Sequence, residues 1–319
     1  MRHSLLLLLI LMASICACTN QAHVASTIKQ PGTDSANVQQ WSDLGSVANR
    51  TSLRVMTFNI LWQGYADDGE YFDSDFAHRK PLILDVLTKF GADIISLQEA
   101  SIEQRAALAA GLPGFVMFPL PAEAGDECIL YRLDRFDLRD DGHEMLRQEP
   151  EKTGTNVGVR DFVWVYLEDR ISGKRFYVLN LHADHRSSER GRQLDGVLIG
   201  EWIRKRKFAD PVILTGDFNG KPDQPRYLYL TGQRAYAGED GATVRMPMPM
   251  LDTFAVANPH ARYTGTYNAG LSGEKNREQI DHIFVPRGST VIDSGIIYYH
   301  ADGYYPSDHF PLLSEFKLE

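Results

Sequence analysis

Five short segments of this chain place carboxylate, amide or imidazole side chains at the end of an apolar run. The segments are residues 57–60, 94–99, 216–219, 280–284 and 307–310. Short apolar runs rich in β-branched and aromatic residues are typical of strands, so each polar side chain lies where a predicted strand begins or ends. Oxygen donors suit hard divalent cations, and an Asp beside a His suits proton chemistry. The pattern predicts a hard-metal site beside an Asp–His pair.

The rest of the sequence predicts one domain in which strands and helices are mixed. Helices are predicted at residues 78–90, 101–110 and 187–207, where apolar residues recur at helical spacing. Strands are predicted at residues 53–60, 92–98, 127–131, 136–146, 161–168, 175–181, 211–215, 279–285, 291–298 and 311–317. Two long loops, residues 63–75 and 232–250, are expected to border the site. No repeat or interior linker divides residues 51–319, and a hydrophobic content of 43% is enough for one sizeable core.

The N-terminus has the pattern of an export signal. Arg2 precedes an apolar stretch over residues 5–15, which is too short to span a bilayer, since spanning takes about 20 apolar residues. Residues 15–18 resemble a bacterial lipobox, in which cleavage precedes a cysteine that is then acylated, and the small Ala17 favours Cys18 as that cysteine. We therefore predict a signal peptide over residues 1–17 and a lipid anchor on Cys18 that holds the protein to a membrane of the bacterial cell envelope. The alternative is a secreted protein cleaved near Ala17.

The exported chain would be acidic and would carry one cysteine besides the anchor. Residues 18–50 are rich in Gln, Ser, Thr, Asn and Ala without a helical or strand period, so we predict a disordered tether there. Removing residues 1–17 removes one cation, Arg2, which changes the formal net charge from −9 to −10. An acidic protein binds duplex nucleic acid poorly, because the phosphate backbone needs a basic face. Cys128 lies in an apolar strand pattern and is predicted to be buried rather than reactive.

Together, the five segments resemble the endonuclease/exonuclease/phosphatase superfamily, the metal-dependent phosphoesterases related to DNase I. The resemblance covers residues 51–319, and the five motifs occur in the family's order. Residues 128–136 and 180–185 are most similar to secreted bacterial members. The resemblance implies a four-layer α/β sandwich of two packed mixed β-sheets flanked by helices. It also implies an enzyme that uses Mg²⁺ or Mn²⁺ and an activated water to hydrolyse a phosphoric ester.

The resemblance assigns three residues to the metal. Glu99 is expected to be the principal ligand, and Asp308 a further carboxylate on the metal side. Asn59 is expected to support the metal or the phosphate. Carboxylate and amide oxygens are ligands that Mg²⁺ and Mn²⁺ prefer, so the assignment agrees with the chemistry of the side chains.

Five further residues are assigned to hydrolysis itself: His182, Asp217, Asn219, Asp281 and His309. Asp217 and Asn219 are two positions apart on a chain expected to be extended, so their side chains would share a face and hold the attacking water and a phosphate oxygen. His309 would act as general base or polarise the phosphate, and Asp281 would orient its imidazole. His182 would assist at the phosphate and the leaving group.

Four other residues lie in or near these motifs in the sequence. His185 is expected at the rim of the site, while Tyr131 and His282 are expected to be structural neighbours. Arg160 corresponds loosely to a region that contacts phosphate in relatives, and an ordinary edge-strand arginine is an equal interpretation.

The motifs specify chemistry at a phosphate and leave the substrate open. Either a phosphodiester or a phosphomonoester fits them, in a phosphorylated small molecule, a lipid headgroup or a nucleic acid. The acidic charge favours a small metabolite or a headgroup over nucleic acid. One alternative is another phosphoesterase, a nonspecific extracellular nuclease. The other alternative is not an enzyme but a non-catalytic surface binding lipoprotein with the same fold. The protein is expected to be a monomer.

Overall fold

The computed structural model describes residues 50–63, 75–119, 125–145, 161–237, 241–261, 264–275 and 278–319. The predicted signal peptide, Cys18, nearly all of the predicted tether, most of the loop 63–75 and Arg160 lie outside these residues. In the part of the chain that is described, no helix is long and apolar enough to cross a membrane.

The described residues form strands and helices in the following order along the chain. The strands are β1 (Leu53–Asn59), β2 (Ile94–Gln98), β3 (Phe115–Phe118), β4 (Cys128–Arg132), β5 (Phe136–Met145), β6 (Asp161–Asp169), β7 (Arg175–His182), β8 (Val212–Asp217), β9 (Tyr236–Ala237), β10 (Thr243–Val244), β11 (Met250–Asp252), β12 (Asp281–Pro286), β13 (Thr290–Ile296) and β14 (Leu312–Lys317). The helices are α1 (Phe76–Lys89), α2 (Ile102–Ala109), α3 (Glu189–Lys205), α4 (Pro225–Leu230) and α5 (Thr253–Ala257).

Two six-stranded sheets form the centre of the described structure. The first sheet has the order β13-β14-β1-β2-β4-β3, and the second has the order β11-β12-β8-β7-β6-β5. Strands β1 and β2 are parallel, as are β7 and β8, while their other neighbours run antiparallel. Both sheets are therefore mixed, as the resemblance implies.

The central strands are apolar on both faces because each face is covered. In β1, Leu53 and Val55 belong to the core between the sheets, whereas Met56 and Phe58 belong to a second core on the outer face. This is the two-residue alternation of a strand, with neither face left to water. Burial on both sides explains why these strands read as nearly continuous apolar runs.

Helices cover the outer faces of both sheets. On the first sheet, Ile83, Val86 and Leu87 of α1 pack into the core that contains Met56 and Phe58. Residues of α3 and α4 pack into the corresponding core on the second sheet. Helix α2 starts with a capping box, in which Ser101 accepts from the backbone N–H of Gln104 at 3.2 Å, and the Gln104 side chain accepts from the backbone N–H of Ser101 at 3.0 Å. The predicted four-layer sandwich is confirmed.

The predicted strands and helices are all present, within a few residues of their expected ends, but several short elements were not predicted. These are β3, the ribbon of β9 and β10, β11, α4 and α5. The long loop expected over residues 232–250 contains the ribbon and the start of β11, which the sequence did not predict. Elements of two to six residues are shorter than the window in which a hydrophobic period is visible.

Two structural predictions concern buried residues. Cys128 is fully buried in β4, and burial raises the pKa of its thiol to about 12, which confirms the prediction of an unreactive cysteine. His282 is also fully buried, and its ring nitrogens lie 3.0 Å from a carboxylate oxygen of Asp252 and 3.0 Å from the carbonyl oxygen of Gly220. His282 therefore supports the fold behind the site, as predicted.

Candidate active site

The predicted site residues meet at one edge of the two sheets. Strands β1 and β2 are parallel, as are β7 and β8, and the side chain of Asn59 at the end of β1 bonds to Asp217 at the end of β8, so the carboxyl ends of all four strands lie at this edge. Strand β12 runs antiparallel to β8 and begins there, with Asp281 paired with Asp217. The segment that carries Asp308 and His309 leads into β14, which is antiparallel to β1. The sheet topology thus brings together residues that are 248 positions apart in sequence, such as Asn59 and Ser307.

The strand alternation aims four of these side chains between the sheets. Asn59, His182, Asp217 and Asp281 are an even number of positions from the inner-core residues Val55, Val178, Ile213 and Ile283 of their own strands. Residues at even spacing share a face of a strand, so these polar groups continue the inner face beyond the apolar core. The site is the open end of the space between the two sheets.

A layer of hydrogen-bonded polar residues separates the apolar core from the site. The Gln98 side-chain amide donates to the Thr57 hydroxyl at 3.1 Å and to the Asn180 side-chain oxygen at 2.6 Å. The hydroxyls of Ser96 and Thr215 lie 2.7 Å apart. These bonds join β1 and β2 of the first sheet to β7 and β8 of the second, so they fix the spacing of the strands that carry the site.

Asp281, His309 and Asp217 form a buried carboxylate–imidazole–carboxylate chain. The imidazole Nδ1 of His309 lies 2.8 Å from Oδ2 of Asp281, and its Nε2 lies 3.7 Å from Oδ2 of Asp217. Burial lowers the pKa of His309, but the neighbouring carboxylates, Asp281 foremost, outweigh it and raise that pKa well above its ordinary value. Burial, and then the charge of Asp281, raises the pKa of Asp217 to about 7. The chain places an imidazole whose pKa is raised next to a carboxyl group whose pKa is also raised.

Asp217 is also in contact with two other predicted site residues. Its Oδ2 accepts a hydrogen bond from the side-chain amide of Asn59 at 3.1 Å and lies 3.5 Å from Nε2 of His182. Asn59 and His182 are both buried. Asp217 is therefore the point at which β1, β7 and the Asp281–His309 pair come together.

Glu99 follows β2 and lies on the other side of Asn59. Its Oε1 accepts a hydrogen bond from the Asn59 side chain at 3.0 Å, and its Oε2 accepts from the backbone N–H of Trp62 at 2.9 Å. Its φ is +56°, a left-handed conformation that non-glycine residues adopt at a cost of roughly 1–3 kcal/mol. Such strain persists only where the surroundings hold the residue in place, and here it holds the carboxylate at the mouth of the site.

Asp308 lies near Glu99, with Arg79 behind both. Burial raises the pKa of Asp308; the charge of Glu99 adds to the rise and His309 opposes it. The buried guanidinium of Arg79 donates to the carbonyl oxygens of Ile60 at 2.5 Å and Pro306 at 3.0 Å, and burial lowers the pKa of Arg79 to about 10. Arg79 thus ties the segment after β1 to the segment that carries Asp308.

Asn219 lies at the site, but not in the way that the sequence predicted. Strand β8 ends at Asp217, and Asn219 has φ +42°, so the chain between them is not extended. The backbone N–H of Asn219 donates to Oδ1 of Asp217 at 2.8 Å, and its side-chain amide donates to the carbonyl oxygen of Ala183 at 2.9 Å. The expectation of two side chains on one strand face is wrong; an Asx-type turn places Asn219 at the site instead.

The site opens into a cleft of about 490 Å³. Six of the eight predicted residues line it: Glu99, His182, Asp217, Asn219, Asp308 and His309. Asn59 and Asp281 are buried behind this lining and contact it through hydrogen bonds. The rim includes His185, whose side chain is 59% exposed, which confirms its predicted position.

Two groups of donors in the cleft could hold a divalent cation. Ligand atoms of Asp217, Asp281 and His309 lie within 4.8 Å of one another. In that group, however, the imidazole is already bonded to Asp281 and favours a proton. Glu99 and Asp308 offer oxygen atoms alone, and the charge of Glu99 contributes to the raised pKa of Asp308, an effect that a cation bound between them would oppose. The donor chemistry of Glu99 and Asp308 fits Mg²⁺ or Mn²⁺ better, in agreement with the predicted metal side.

A family comparison agrees with this arrangement. The sequence model of the endonuclease/exonuclease/phosphatase family matches residues 56–309, the span that contains the sheets and the cleft. The chain belongs to this family. The matched span contains Asn59, Glu99, Asp217, Asp281 and His309.

Individual family members are similar at low identity. A mannosyl-6-phosphatase from Bacteroides thetaiotaomicron VPI-5482 is 26% identical, with a TM-score of 0.69 over 84% of this chain and 100% of that one. The human Nocturnin catalytic domain with bound sulfate is 22% identical, with a TM-score of 0.62 over 84% of this chain and 94% of that one. Nocturnin of Drosophila melanogaster is 24% identical over 83% of this chain, which spans 47% of that protein's length. The structural matches confirm the DNase I-like fold of the family.

Proposed function

We propose that this protein is a divalent-metal-dependent phosphoesterase that acts on a small phosphorylated molecule. The observation that supports it most is the single cleft in which Glu99 and Asp308 lie beside the chain of Asp281, His309 and Asp217. Ester hydrolysis at phosphorus needs charge neutralisation, a positioned water and a proton acceptor, and this cleft offers residues for each.

Glu99 and Asp308 would hold the cation, and Asn59 would keep Glu99 and Asp217 in position through its two hydrogen bonds. When bound, Mg²⁺ or Mn²⁺ would neutralise charge on the phosphate and on the leaving oxygen. The protein's own side chains would supply the other two functions. One side chain would accept a proton from the attacking water, and a positively charged side chain would bind the phosphate oxygens.

Asp217 is the residue best suited to accept the proton of the attacking water. A general base works best when its pKa is close to the operating pH, and the pKa of Asp217 is raised to about 7. His309, held protonated by Asp281, would then stabilise the negative phosphate oxygens. Of the two roles predicted for His309, the raised pKa favours polarisation of the phosphate over base catalysis.

Several observations support a small substrate. The cleft of about 490 Å³ is of the size of small-molecule sites, and the net charge of −9 disfavours binding to a nucleic-acid backbone. The mannosyl-6-phosphatase is named for a phosphorylated sugar. A small phosphorylated metabolite therefore fits better than a lipid headgroup or nucleic acid.

A panel of phosphate esters tests this proposal. Sugar phosphates, nucleotides, phospholipids, single-stranded DNA and RNA would be assayed with saturating Mg²⁺ and with Mn²⁺, using Asp217→Asn as the inactive control. We expect the highest kcat/KM for a small phosphate ester. Faster cleavage of DNA or RNA would favour the nuclease alternative, and binding without turnover of any ester would favour the non-catalytic alternative.

The dependence of activity on pH should report the pairing of Asp281 with His309. If protonated His309 is the active form, kcat/KM falls as pH rises through its raised pKa. Asp281→Asn removes the charge that raises this pKa, so the alkaline fall should begin at lower pH. Asp252→Asn is a matched control, because Asp252 pairs with His282 outside the cleft lining. If kcat/KM of Asp281→Asn falls at the same pH as in the wild type, Asp281 does not raise the pKa of His309 and the assignment is wrong.

We also propose that the protein acts at the bacterial cell envelope, held by a lipid on Cys18. The lipobox-like residues 15–18 support this proposal. Cys18→Ser should release the protein from the membrane fraction, while Cys128→Ser, which leaves the anchor in place, should not. If the Cys18→Ser protein stays with membranes after a salt wash, the lipoprotein proposal is wrong.

A further inference from the structure

One large aromatic side chain, Trp62, lies exposed at the cleft. It is 44% exposed and lines the same cleft as Glu99 and Asp308. The predicted chemistry at the phosphate needs charged and hydrogen-bonding groups, and an indole supplies neither a ligand for a cation nor a proton acceptor. Trp62 therefore requires a separate explanation.

The backbone beneath Trp62 is held rigidly. Leu61 is buried and has φ +59°, and its carbonyl oxygen accepts hydrogen bonds from Arg79 at 2.9 Å and Gln104 at 2.9 Å. The backbone N–H of Trp62 donates to Glu99 at 2.9 Å. The indole is thus carried by a left-handed turn at Leu61 that hydrogen bonds hold in place, and the backbone of Trp62 itself bonds to Glu99, the predicted metal ligand.

An exposed aromatic ring on a backbone that is fixed by hydrogen bonds is suited to binding a flat partner. Tryptophan and tyrosine provide a large contact area with few rotatable bonds, so little conformational entropy is lost when a ligand binds. Here the left-handed turn at Leu61 is already imposed by buried hydrogen bonds. The ligand would meet a surface that is already in place, which lowers the cost of binding.

We propose that Trp62 is a stacking platform for a ring in the alcohol part of the substrate. The substrate class is then a phosphate ester of a ring-bearing alcohol, a sugar or a nucleoside, and not an acyclic ester such as a glycerol phosphate. This inference rests on the proposed phosphoesterase function. The backbone N–H of Trp62 donates to Glu99, and Trp62, Glu99 and Asp308 line the same cleft, so an ester whose phosphate binds on the metal side has its alcohol part within the cleft that the indole lines. Glycerol has no flat face to stack on it.

The test compares ring-bearing and acyclic esters in matched variants. KM and kcat would be measured for a hexose 6-phosphate, adenosine 5′-monophosphate and glycerol 3-phosphate. Trp62→Ala should raise KM for a ring-bearing ester by about tenfold, a loss on the scale of aromatic stacking, and leave KM for glycerol 3-phosphate unchanged. Trp62→Phe should restore most of the lost binding, because it keeps a ring. The hexose and nucleoside arms identify which ring is preferred.

A control variant and a second measurement keep the two proposals apart. Phe208→Ala removes an exposed aromatic that precedes the start of β8, away from the cleft, and should leave every KM unchanged. Calorimetric binding of the same three esters reports stacking even without turnover. If ring-bearing esters bind selectively but no ester is hydrolysed, the phosphoesterase function is contradicted and the stacking role of Trp62 is supported. Equal effects of Trp62→Ala on ring-bearing and acyclic esters, or no effect, would overturn the platform alone.

Discussion

Replacing His309 with Ala is expected to lower kcat/KM by at least ~10²-fold, the lower range for loss of one group that stabilises negative charge in the transition state. The imidazole lines the cleft, is 5% exposed, and lies within hydrogen-bonding distance of Asp281. Its loss removes the one cationic group that Asp281 holds in the cleft and leaves that carboxylate buried without its partner. Thermal unfolding of the variant, measured beside its kinetics, separates a loss of chemistry from a loss of fold.

The same pair is expected to behave as a unit. In a double-mutant cycle on kcat/KM with saturating metal, changing both Asp281 and His309 to Ala should cost little more than the worse single change. Asp281→Asn should be milder, because it keeps a hydrogen-bonding side chain and loses only the charge. Losses that multiply fully in the double variant would mean that the residues work separately, and the pairing would have to be abandoned.

Glu99→Gln is expected to abolish turnover and to weaken binding of Mg²⁺ severely. The substitution preserves the shape of the side chain but removes the charge on the metal side of the cleft. The left-handed conformation at this position is unchanged, so the cost of its strain is the same in both proteins. Calorimetric titration of Mg²⁺ and steady-state kinetics measure the two effects.

A nearby carboxylate provides the control for Glu99. Asp126 lines the same cleft but is exposed, and Asp126→Asn should change metal binding and kcat little. If Glu99→Gln binds Mg²⁺ as the wild type does and turns over normally, Glu99 is not a metal ligand. If Asp126→Asn shows the larger loss, the metal side of the cleft has been assigned to the wrong carboxylate.

Much of the fold could be predicted because its strands are long and strongly patterned. The runs over β1, β2, β8 and β12 are buried on both faces, and such runs stand out in sequence. Helices α1 and α3 show a helical period because only one face of each packs on a sheet. Pairing between the strands was not visible in the sequence, and the family resemblance supplied it.

The membership of the site was also predictable, for a specific reason. Asn59, His182 and Asp217 each end a strand, and Asp281 begins one, on the side that faces the other sheet. The motifs identify these polar residues at strand ends even though the residues that they contact are far away in the sequence. The turn at Asn219 was not predicted. Its positive φ accompanies a hydrogen bond from its backbone N–H to Asp217, and a prediction of continued extended chain does not include such a bond.

Residues that support the site were harder to predict. Arg79 occupies a buried position in an otherwise ordinary helical pattern, and only the carbonyl oxygens that it contacts reveal its role. Asn180 and Gln98 meet across the two sheets, so their hydrogen bond depends on a contact between residues 82 positions apart. The one available signal was a polar side chain inside an apolar strand, which predicts burial with a partner but does not name the partner.

The proposed function requires a divalent cation bound in the cleft while the phosphate ester is hydrolysed. The most direct measurement is the hydrolysis rate of the best ester of the panel in protein freed of metal with EDTA and dialysed, before and after Mg²⁺ or Mn²⁺ is added back. We predict no turnover in the metal-free protein, recovery of the full rate on adding either cation, and no recovery in Asp217→Asn. Undiminished hydrolysis by the metal-free protein would contradict the account.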